Sequence, residues 1–398
     1  MRMSILATGV LASTTLLTPQ LASAKDLRID GFASIYAGQV MDEDELGGSD
    51  FRGYEDTLDF HQNSLYGLQF RSDLEDNLSA TAQIVGKGAE EFDPKITWAF
   101  MKYNFTDAFS VKAGRQRVPF FLYSDFIQVG YAYPWTTPPE GIYNIAGSEN
   151  IDGVNFEYLV NIGDWTSRTS FLVGGSESTL DYGSTEVQFN NDDFRGLTWD
   201  LTYDWLTFHA VYSRSKVTIP IYSQLAGGIA FVLGGLTSEQ VDMFDLEKDL
   251  AEYKGIGVSG DWGDWLAAAE YAEIELDESP TTSARKSWYV FGGYRWQKFT
   301  FGLTYAKYEN PNHPDVIAFL NANDAALSVT PLYAGLNSSY RGGKESDAYT
   351  ATVRYDFHPS AAFKLEYMKE DGDYDMDNGS PVTNLKPALV RMGVDLVF

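Results

Sequence analysis

The sequence predicts an all-β fold, a transmembrane antiparallel β-barrel of about 16 strands with one loop folded into it. Segments of roughly ten residues alternate apolar and polar side chains along most of the chain. Short turns and long polar loops join these segments in strict alternation, which a soluble secreted β-sandwich has no reason to do. The 398 residues include 25 Tyr, 25 Phe and 36 Gly but no Cys, so backbone pairing must hold the fold without disulfides.

The N-terminal 24 residues are typical of a secretory signal peptide. Arg2 supplies a basic start, Ile5–Leu17 is an apolar stretch, and Ala22–Ala24 fits the small-residue cleavage rule. A transmembrane anchor is the alternative, but the apolar stretch is shorter than the roughly 20 residues that a helical span needs. We therefore expect residues 1–24 to be removed and residues 25–398 to form the barrel.

Sixteen alternating segments can be assigned in chain order. Within Leu78–Lys87, for example, Leu78, Ala80 and Ala82 alternate with Ser79, Thr81 and Gln83, the period of two that a strand imposes. The predicted strands are Leu27–Val40, His61–Asp73, Leu78–Lys87, Ile96–Phe105, Phe109–Arg115, Ile151–Asn161, Trp165–Gly174, Phe194–Tyr203, Leu206–Lys216, Tyr253–Trp262, Trp265–Leu276, Lys286–Trp296, Phe299–Tyr308, Asp347–Phe357, Ala361–Glu370 and Pro387–Phe398. An even number places both termini at the short-turn, periplasmic end.

The two faces of these segments suit a wall between lipid and water. One face is apolar and aromatic, and the other carries Gly, Ser, Thr, Gln and scattered charge. Aromatic residues recur at segment ends, as an interfacial girdle requires. A net charge of -27 excludes a general nucleic-acid binder, which needs a basic face.

Two long excursions interrupt the pattern. Residues 116–150 are rich in aromatic residues and proline, too apolar to remain in water, so we expect this loop to fold back against the inside wall as a constriction loop. Residues 217–252 form a long extracellular loop. Its first part, Gln224–Gly235, is apolar and glycine-rich, and Ser238–Glu252 is predicted to be a short helix with Ser238 as a possible N-cap.

Two motifs carry a family resemblance. The C-terminal segment Met392–Phe398 alternates apolar residues and ends in Phe398, and Gly114–Phe120 reads GRQRVPF. With these motifs the chain resembles the trimeric sixteen-stranded porins of Gram-negative outer membranes, and GRQRVPF is similar to the stretch before the constriction loop of phosphate-selective porins. Pro119–Asn150 contains no Arg or Lys, unlike that group, so the resemblance extends to channel architecture and not to phosphate selectivity.

The resemblance implies the function and the partners. It implies a homotrimer in the outer membrane of a Gram-negative bacterium, in contact with lipid and lipopolysaccharide. Phe398 would be recognised by the barrel-assembly machinery. The function would be passive diffusion of small hydrophilic solutes and ions through a water-filled channel, with no cofactor.

A pore of this kind selects by its radius and by the charge at its narrowest point. The candidate constriction residues are the bases Lys112, Arg115, Arg117 and Arg168, the acids Asp125 and Glu140, and the aromatic residues Tyr123 and Tyr133. Alternatively, many of these residues contact the rim of the barrel or the lipid headgroups. Strict alternation places Arg115 and Arg117 on the face of Phe109 and Val111, so a lumen position requires a bulge or the end of the strand.

Two alternatives concern chemistry. The loop aromatic residues could form a stacking track, which would make the protein a substrate-specific channel for anionic or aromatic small molecules, or they could pack the loop against the wall. Acidic runs such as DEDE at residues 42–45 could bind cations, but a solvated extracellular loop is the favoured interpretation, and we predict no metal site. The four histidines accompany no GxSxG or HExxH motif, so an enzyme is not expected.

Overall fold

An antiparallel sheet closes on itself in the computed structural model, which describes residues 26–41, 50–144, 149–182, 185–276, 284–340, 344–375 and 381–398. The predicted signal peptide and the DEDE run lie outside these described residues. The strands are β1 (Asp26–Val40), β2 (Leu65–Glu75), β3 (Leu78–Lys87), β4 (Pro94–Asn104), β5 (Phe109–Arg117), β6 (Asn150–Ile162), β7 (Trp165–Tyr182), β8 (Thr185–Tyr203), β9 (Leu206–Thr218), β10 (Glu247–Trp262), β11 (Trp265–Leu276), β12 (Ala284–Trp296), β13 (Phe299–Asn310), β14 (Lys344–His358), β15 (Ala361–Asp375), β16 (Pro381–Leu385) and β17 (Ala388–Val397).

Sixteen of these strands form the closed ring. Each pairs with its sequence neighbours, and β1 closes the ring by pairing with β17 from Phe32↔Val397 to Val40↔Leu389. The short β16 lies outside the ring, because β15 pairs with β17 along most of its length and with β16 only at its end. Closure leaves no sheet edge unpaired, and it confirms the predicted antiparallel barrel.

The side chains of β1 show how the wall is sorted. Leu27, Ile29 and Ile35 are more than half exposed on the outside, where lipid would cover them. Ser34 and Tyr36 alternate with them on the inside and are buried. Among the described residues, the helices are too short or too polar to cross a membrane.

The short turns depend on a few left-handed residues. Gly163 (φ 62°) lies between β6 and β7, and Gly263 (φ 61°) lies between β10 and β11. No heavy atom lies within 4 Å of a Cβ built on either residue. Glycine is therefore favoured there by backbone conformation and not by crowding.

The helices lie in the loops at the opposite end. The helix α1 (Glu140–Tyr143) lies between β5 and β6, and the other five are α2 (Pro220–Leu233), α3 (Ser238–Asp242), α4 (Pro314–Ala322), α5 (Asp324–Leu327) and α6 (Tyr333–Tyr340). We call α2–α6 the helical cap. Ile229, Phe244, Leu320 and Tyr340 are buried in its core together with Phe189 of β8.

The cap differs from the sequence prediction in two respects. The helix expected over Ser238–Glu252 ends at Asp242, because β10 begins at Glu247 and pairs there with Thr218 of β9. Its N-cap is Thr237, whose side chain accepts from the backbone N–H of Gln240. The apolar Gln224–Gly235 stretch, for which no helix was predicted, lies mostly within α2.

Candidate functional site: the lumen and loop 3

The loop between β5 and β6, described at residues 118–144 and at Glu149, lies inside the barrel, and we call it loop 3. Its aromatic side chains form the main hydrophobic core with the inner wall. Trp135 is 1% exposed, donates from Nε1 to Thr304 Oγ1 at 2.8 Å, and lies 4.7 Å from Phe291 between ring centroids. Phe120 packs on Tyr253 at 4.4 Å. Loop 3 is therefore held by buried apolar area on the β8–β13 side.

A buried carboxylate adds a polar anchor on the same side. Glu270 of β11 accepts from the backbone N–H of Leu122 at 2.6 Å and from the Tyr143 hydroxyl at 2.6 Å, both in loop 3. Tyr289 of β12 donates to the same carboxylate at 2.9 Å. A carboxylate buried in a core requires such donors, so Glu270 fixes the position of both ends of loop 3.

Ionic anchors hold loop 3 to the last strands. Lys364 of β15 donates to the carbonyl oxygens of Gly130 and Trp135 at 2.6 and 2.5 Å, and it pairs with Asp395 of β17 at 2.8 Å. Thr136 Oγ1 donates to Glu366 at 2.8 Å. These bonds cover the inner faces of β15 and β17, so loop 3 fills the barrel on that side as well.

Glu140 is the acidic end of this network. It pairs with Arg391 of β17 and with Arg52 of the first loop, both at 2.5 Å. Arg52 also pairs with Glu370 of β15 at 2.6 Å. Burial alone would raise the pKa of the Glu140 carboxyl, but the charges of Arg52 and Arg391 outweigh burial and lower that pKa to about 2. Glu140 therefore stays ionised at any ordinary pH.

The free lumen lies between loop 3 and the wall formed by β4–β8. A cavity of about 200 Å³ there, which we call the slot, is lined by Trp98, Phe100, Lys112, Gln116, Arg117, Pro119, Asp125, Asn155, Glu157, Arg168, Ser170, Thr198 and Asp200. Asp125 and Pro119 belong to loop 3, whereas most of the others lie on the wall. The slot is thus a narrow space with one acid on the loop and charges of both signs on the wall.

Most charges in the slot are paired. Glu157 accepts from Lys112 at 2.7 Å and from Lys102 at 3.0 Å, and Asp200 lies 2.7 Å from the His209 ring nitrogen Nδ1. Arg168 and Asp125 differ, because each is exposed and makes neither a hydrogen bond nor an ion pair to any other described residue. A base and an acid outside any close ion pair therefore line the same water-filled space, and the charge of Arg117 also acts on Asp125.

Neighbouring cavities extend the slot toward the short turns. A cavity of about 280 Å³ shares Pro119, Asp125, Arg168 and Asp200 with it. This second cavity shares Tyr123, Thr207 and Ser259 with a third, of about 900 Å³, near the short turns. Toward the long loops, a separate cavity of about 430 Å³ includes Gln128 and Glu149 of loop 3 and shares no lining residue with the slot.

This geometry, an antiparallel barrel narrowed by an inward loop with opposed charges, suits a diffusion channel. A model of the Gram-negative porin family matches residues 7–375 of the chain. The chain belongs to the Gram-negative porin family. It is therefore a passive diffusion channel of the outer membrane, as its sequence predicts. No curated protein matches the chain in sequence.

Solved structures share the fold of this porin. The outer membrane channel DcaP of Acinetobacter baumannii superposes with a TM-score of 0.58 at 14% identity, over 94% of this chain and 97% of DcaP. An anion-selective porin from Comamonas acidovorans has a TM-score of 0.54 at 10% identity, over 94% and 99%. OmpT of Vibrio cholerae in its trimer form has a TM-score of 0.52 at 14% identity, over 94% and 99%.

Four of the eight candidate residues of this porin line the slot: Lys112, Arg117, Arg168 and Asp125. Arg117 is the last residue of β5, and its side chain is buried 3.3 Å from Glu149 without hydrogen-bond geometry. Alternation alone would have placed Arg117 on the outer face, so the end of the strand accounts for its position. The slot therefore contains three of the four candidate bases.

The other four candidates lie elsewhere. Arg115 does not line the slot. Its guanidinium pairs with Asp152 at 2.7 Å and stays 41% exposed, and it lines the cavity of about 430 Å³ that includes Gln128 and Glu149 of loop 3. Glu140 lies in the network of Arg52 and Arg391, and Tyr133 is 4% exposed within the loop 3 core. Tyr123 lines the cavities on the short-turn side of the slot.

Sequence reasoning missed the two aromatic residues of the slot, and it did not pair Glu157 with Lys102 and Lys112. Trp98 and Phe100 share the inner face of β4 with Lys102, and alternation from Lys102 could have placed them there. The proximity of Glu157 to Lys102 and Lys112 depends on the register of three strands, which the sequence does not encode locally. Within the described ranges, His, Asp and Glu side chains form no cluster suited to a metal ion.

Proposed function

We propose that the slot is the constriction of this porin, and that small hydrophilic solutes and ions diffuse through it. The observation that carries the proposal is the opposition of Arg168 on β7 and Asp125 on loop 3 across one open cavity, with neither side chain in an ion pair. Unpaired charges of opposite sign on facing walls set up a transverse field, and a field in a narrow pore discriminates between solutes.

We propose different roles for the eight candidate residues. Lys112, Arg117, Arg168 and Asp125 would line the constriction, and Tyr123 would line the passage below it. Glu140 and Tyr133 would hold loop 3 in place. Arg115 would line the cavity toward the long loops, where it pairs with Asp152.

The assembly and targeting of this porin are also proposals. Residues 1–24 would be cleaved as a signal peptide, and Phe398 would be recognised by the barrel-assembly machinery. A homotrimer is supported by the solved trimer form of OmpT. Lipid and lipopolysaccharide would contact the exposed apolar residues of the outer face, such as Ile29 and Leu303. We propose no catalytic role and no cofactor, because a diffusion channel needs neither.

The second candidate function is a substrate-specific channel. The aromatic residues Trp98 and Phe100 favour it, because a wall that needs only to conduct ions would be polar throughout. Loop 3 aromatic residues such as Trp135 are buried in packing and do not form a track. Substrate specificity would therefore come from Trp98 and Phe100 of β4 and not from the aromatic residues of loop 3.

Planar-bilayer recording under a salt gradient tests the proposal. The purified porin should give conductance steps with a measurable reversal potential. Arg168→Gln should move that potential toward cation preference, and Asp125→Asn should move it toward anion preference. Arg214→Gln is the matched control, since it removes the same charge from the exposed outer face of β9, away from the cavities described above.

Three results would contradict the proposal. If no conductance steps appear, the channel does not conduct. If Arg214→Gln shifts the reversal potential as much as Arg168→Gln does, the constriction has been assigned to the wrong charges. If neither Arg168→Gln nor Asp125→Asn shifts it, the slot is not the selective part of the lumen.

A further inference from the structure

We infer that the slot binds zwitterionic amino acids with an aromatic side chain and passes them in preference to simple ions. The inference rests on the proposed function, because it requires the slot to be the constriction. Three features of the slot carry it: an aromatic wall, one unpaired charge of each sign, and a volume for a single ring.

The aromatic wall is formed by Trp98 and Phe100 of β4. Their ring centroids are 6.2 Å apart, and both side chains are only partly buried. Neither packs in the hydrophobic core that loop 3 makes with the opposite side of the barrel. Lys112 Nζ lies over the Phe100 ring, 5.8 Å from its centroid. The ring surface that stays exposed to the wet lumen is unfavourable in water, and a planar solute that covered it would remove that cost.

The charges select a zwitterion over an ion of either sign. Glu157 is matched by two lysines, Asp200 is bonded to His209, and Arg117 lies beside Glu149. Arg168 and Asp125 make no ion pair with any described residue, and they lie on opposite sides of the slot. A carboxylate on the solute would pair with Arg168 and an ammonium with Asp125.

The volume limits the solute to one ring. The slot holds about 200 Å³ and opens into a cavity of about 280 Å³ that shares Arg168 and Asp125. Each lies below the roughly 300 Å³ at which pockets begin to hold drug-sized ligands. A phenylalanine-sized molecule would therefore fit with its ring on Phe100 and its charged groups between wall and loop.

The test measures how added solutes reduce the ionic current of the porin in planar bilayers. The probes are L-phenylalanine, glycine, 3-phenylpropionate and 2-phenylethylamine, which separate the ring, the carboxylate and the ammonium. We expect L-phenylalanine to reduce the current at a concentration about tenfold below that of each other probe, equivalent to about 1.4 kcal/mol of binding. Phe100→Ala should abolish this difference, and Phe100→Leu should retain part of it.

The charge variants separate the contributions of the ammonium and the carboxylate of L-phenylalanine. With Asp125→Asn, L-phenylalanine should act like 3-phenylpropionate, and with Arg168→Gln it should act like 2-phenylethylamine. Arg71→Gln is the matched control, because Arg71 lies on the inner face of β2 but does not line the slot. It should leave the L-phenylalanine effect unchanged.

The outcomes distinguish failure of the inference from failure of the proposed function. If the current and its selectivity depend on Arg168 and Asp125 but L-phenylalanine acts no better than glycine, the inference is wrong and the constriction stands. If the Phe100→Ala porin still prefers L-phenylalanine, the aromatic wall is not the site and the inference is wrong. If the current does not depend on Arg168 or Asp125, both the inference and the proposed function are wrong.

Discussion

The carboxylate of Glu140 in loop 3 lies 2.5 Å from the guanidinium of Arg391 on the last strand of the barrel. Both side chains are largely shielded from solvent, with 16% and 3% of their surface exposed. Arg52 of the first loop closes on the same carboxylate from the other side. Three segments far apart in sequence, including the strand that closes the ring, are thus held by one acid.

Glu140→Gln should loosen loop 3. The substitution leaves Arg52 and Arg391 without one counter-charge in a shielded site, and breaking such a pair costs about 3–5 kcal/mol. We expect a lower free energy of unfolding, measured by denaturant titration in detergent micelles, and a noisier single-channel current.

Asp152→Asn is the control for this prediction, because it breaks the exposed pair with Arg115. Exposed pairs contribute about 0–1 kcal/mol, so this variant should unfold almost as the parent does. Equal destabilisation by the two substitutions would show that shielding of the Glu140 network does not matter.

The same network sets a pH dependence. The pKa of Glu140 is about 2, against an ordinary value of 4.5, so its ionised form is stabilised by folding. That stabilisation is complete above pH 4.5 and is lost as the pH falls through 2. The current should therefore keep constant noise from pH 8 to about pH 5 and become noisier only in strong acid. Glu140→Gln should be noisy at every pH, and a parent channel that became noisy near pH 6 would contradict the assignment.

Alternation and loop length were sufficient to predict the barrel, because membrane strands must sort side chains and satisfy every backbone group. They were insufficient to predict which side chains line the lumen. Arg115 and Arg117 look equivalent in the sequence, yet β5 ends at Arg117, and only that residue reaches the slot. The helix α2 was missed because Gly227 and Gly228 lower its helix propensity, and its stability comes from another loop that buries its apolar face.

Trp135 is the largest side chain that loop 3 buries against the wall. Trp135→Ala would remove its contacts with Phe291 and Tyr289 and its hydrogen bond to Thr304, at a cost of about 3–5 kcal/mol. Trp135→Phe keeps most of the ring contact and should cost about 1 kcal/mol for the lost hydrogen bond. Denaturant titration of both variants measures the difference. Similar losses would mean that the hydrogen bond, and not the buried area, holds the loop.

The helical cap should be separable from the channel. Its core draws on α2–α6 and on the ends of strands, and no residue of loop 3 or of the slot belongs to it. Ile229 of α2 is fully buried there, so Ile229→Ala should cost about 2–5 kcal/mol of local stability. We expect faster cleavage between β9 and β10 by chymotrypsin, with unchanged conductance and reversal potential.

Gln224→Ala on the same helix is the matched control, since Gln224 is exposed and its replacement changes no chymotrypsin site. It should leave the cleavage rate almost unchanged. An altered reversal potential in Ile229→Ala would mean that the cap and the slot are mechanically linked, in which case the two loops that form the cap would help to set the passage beneath them.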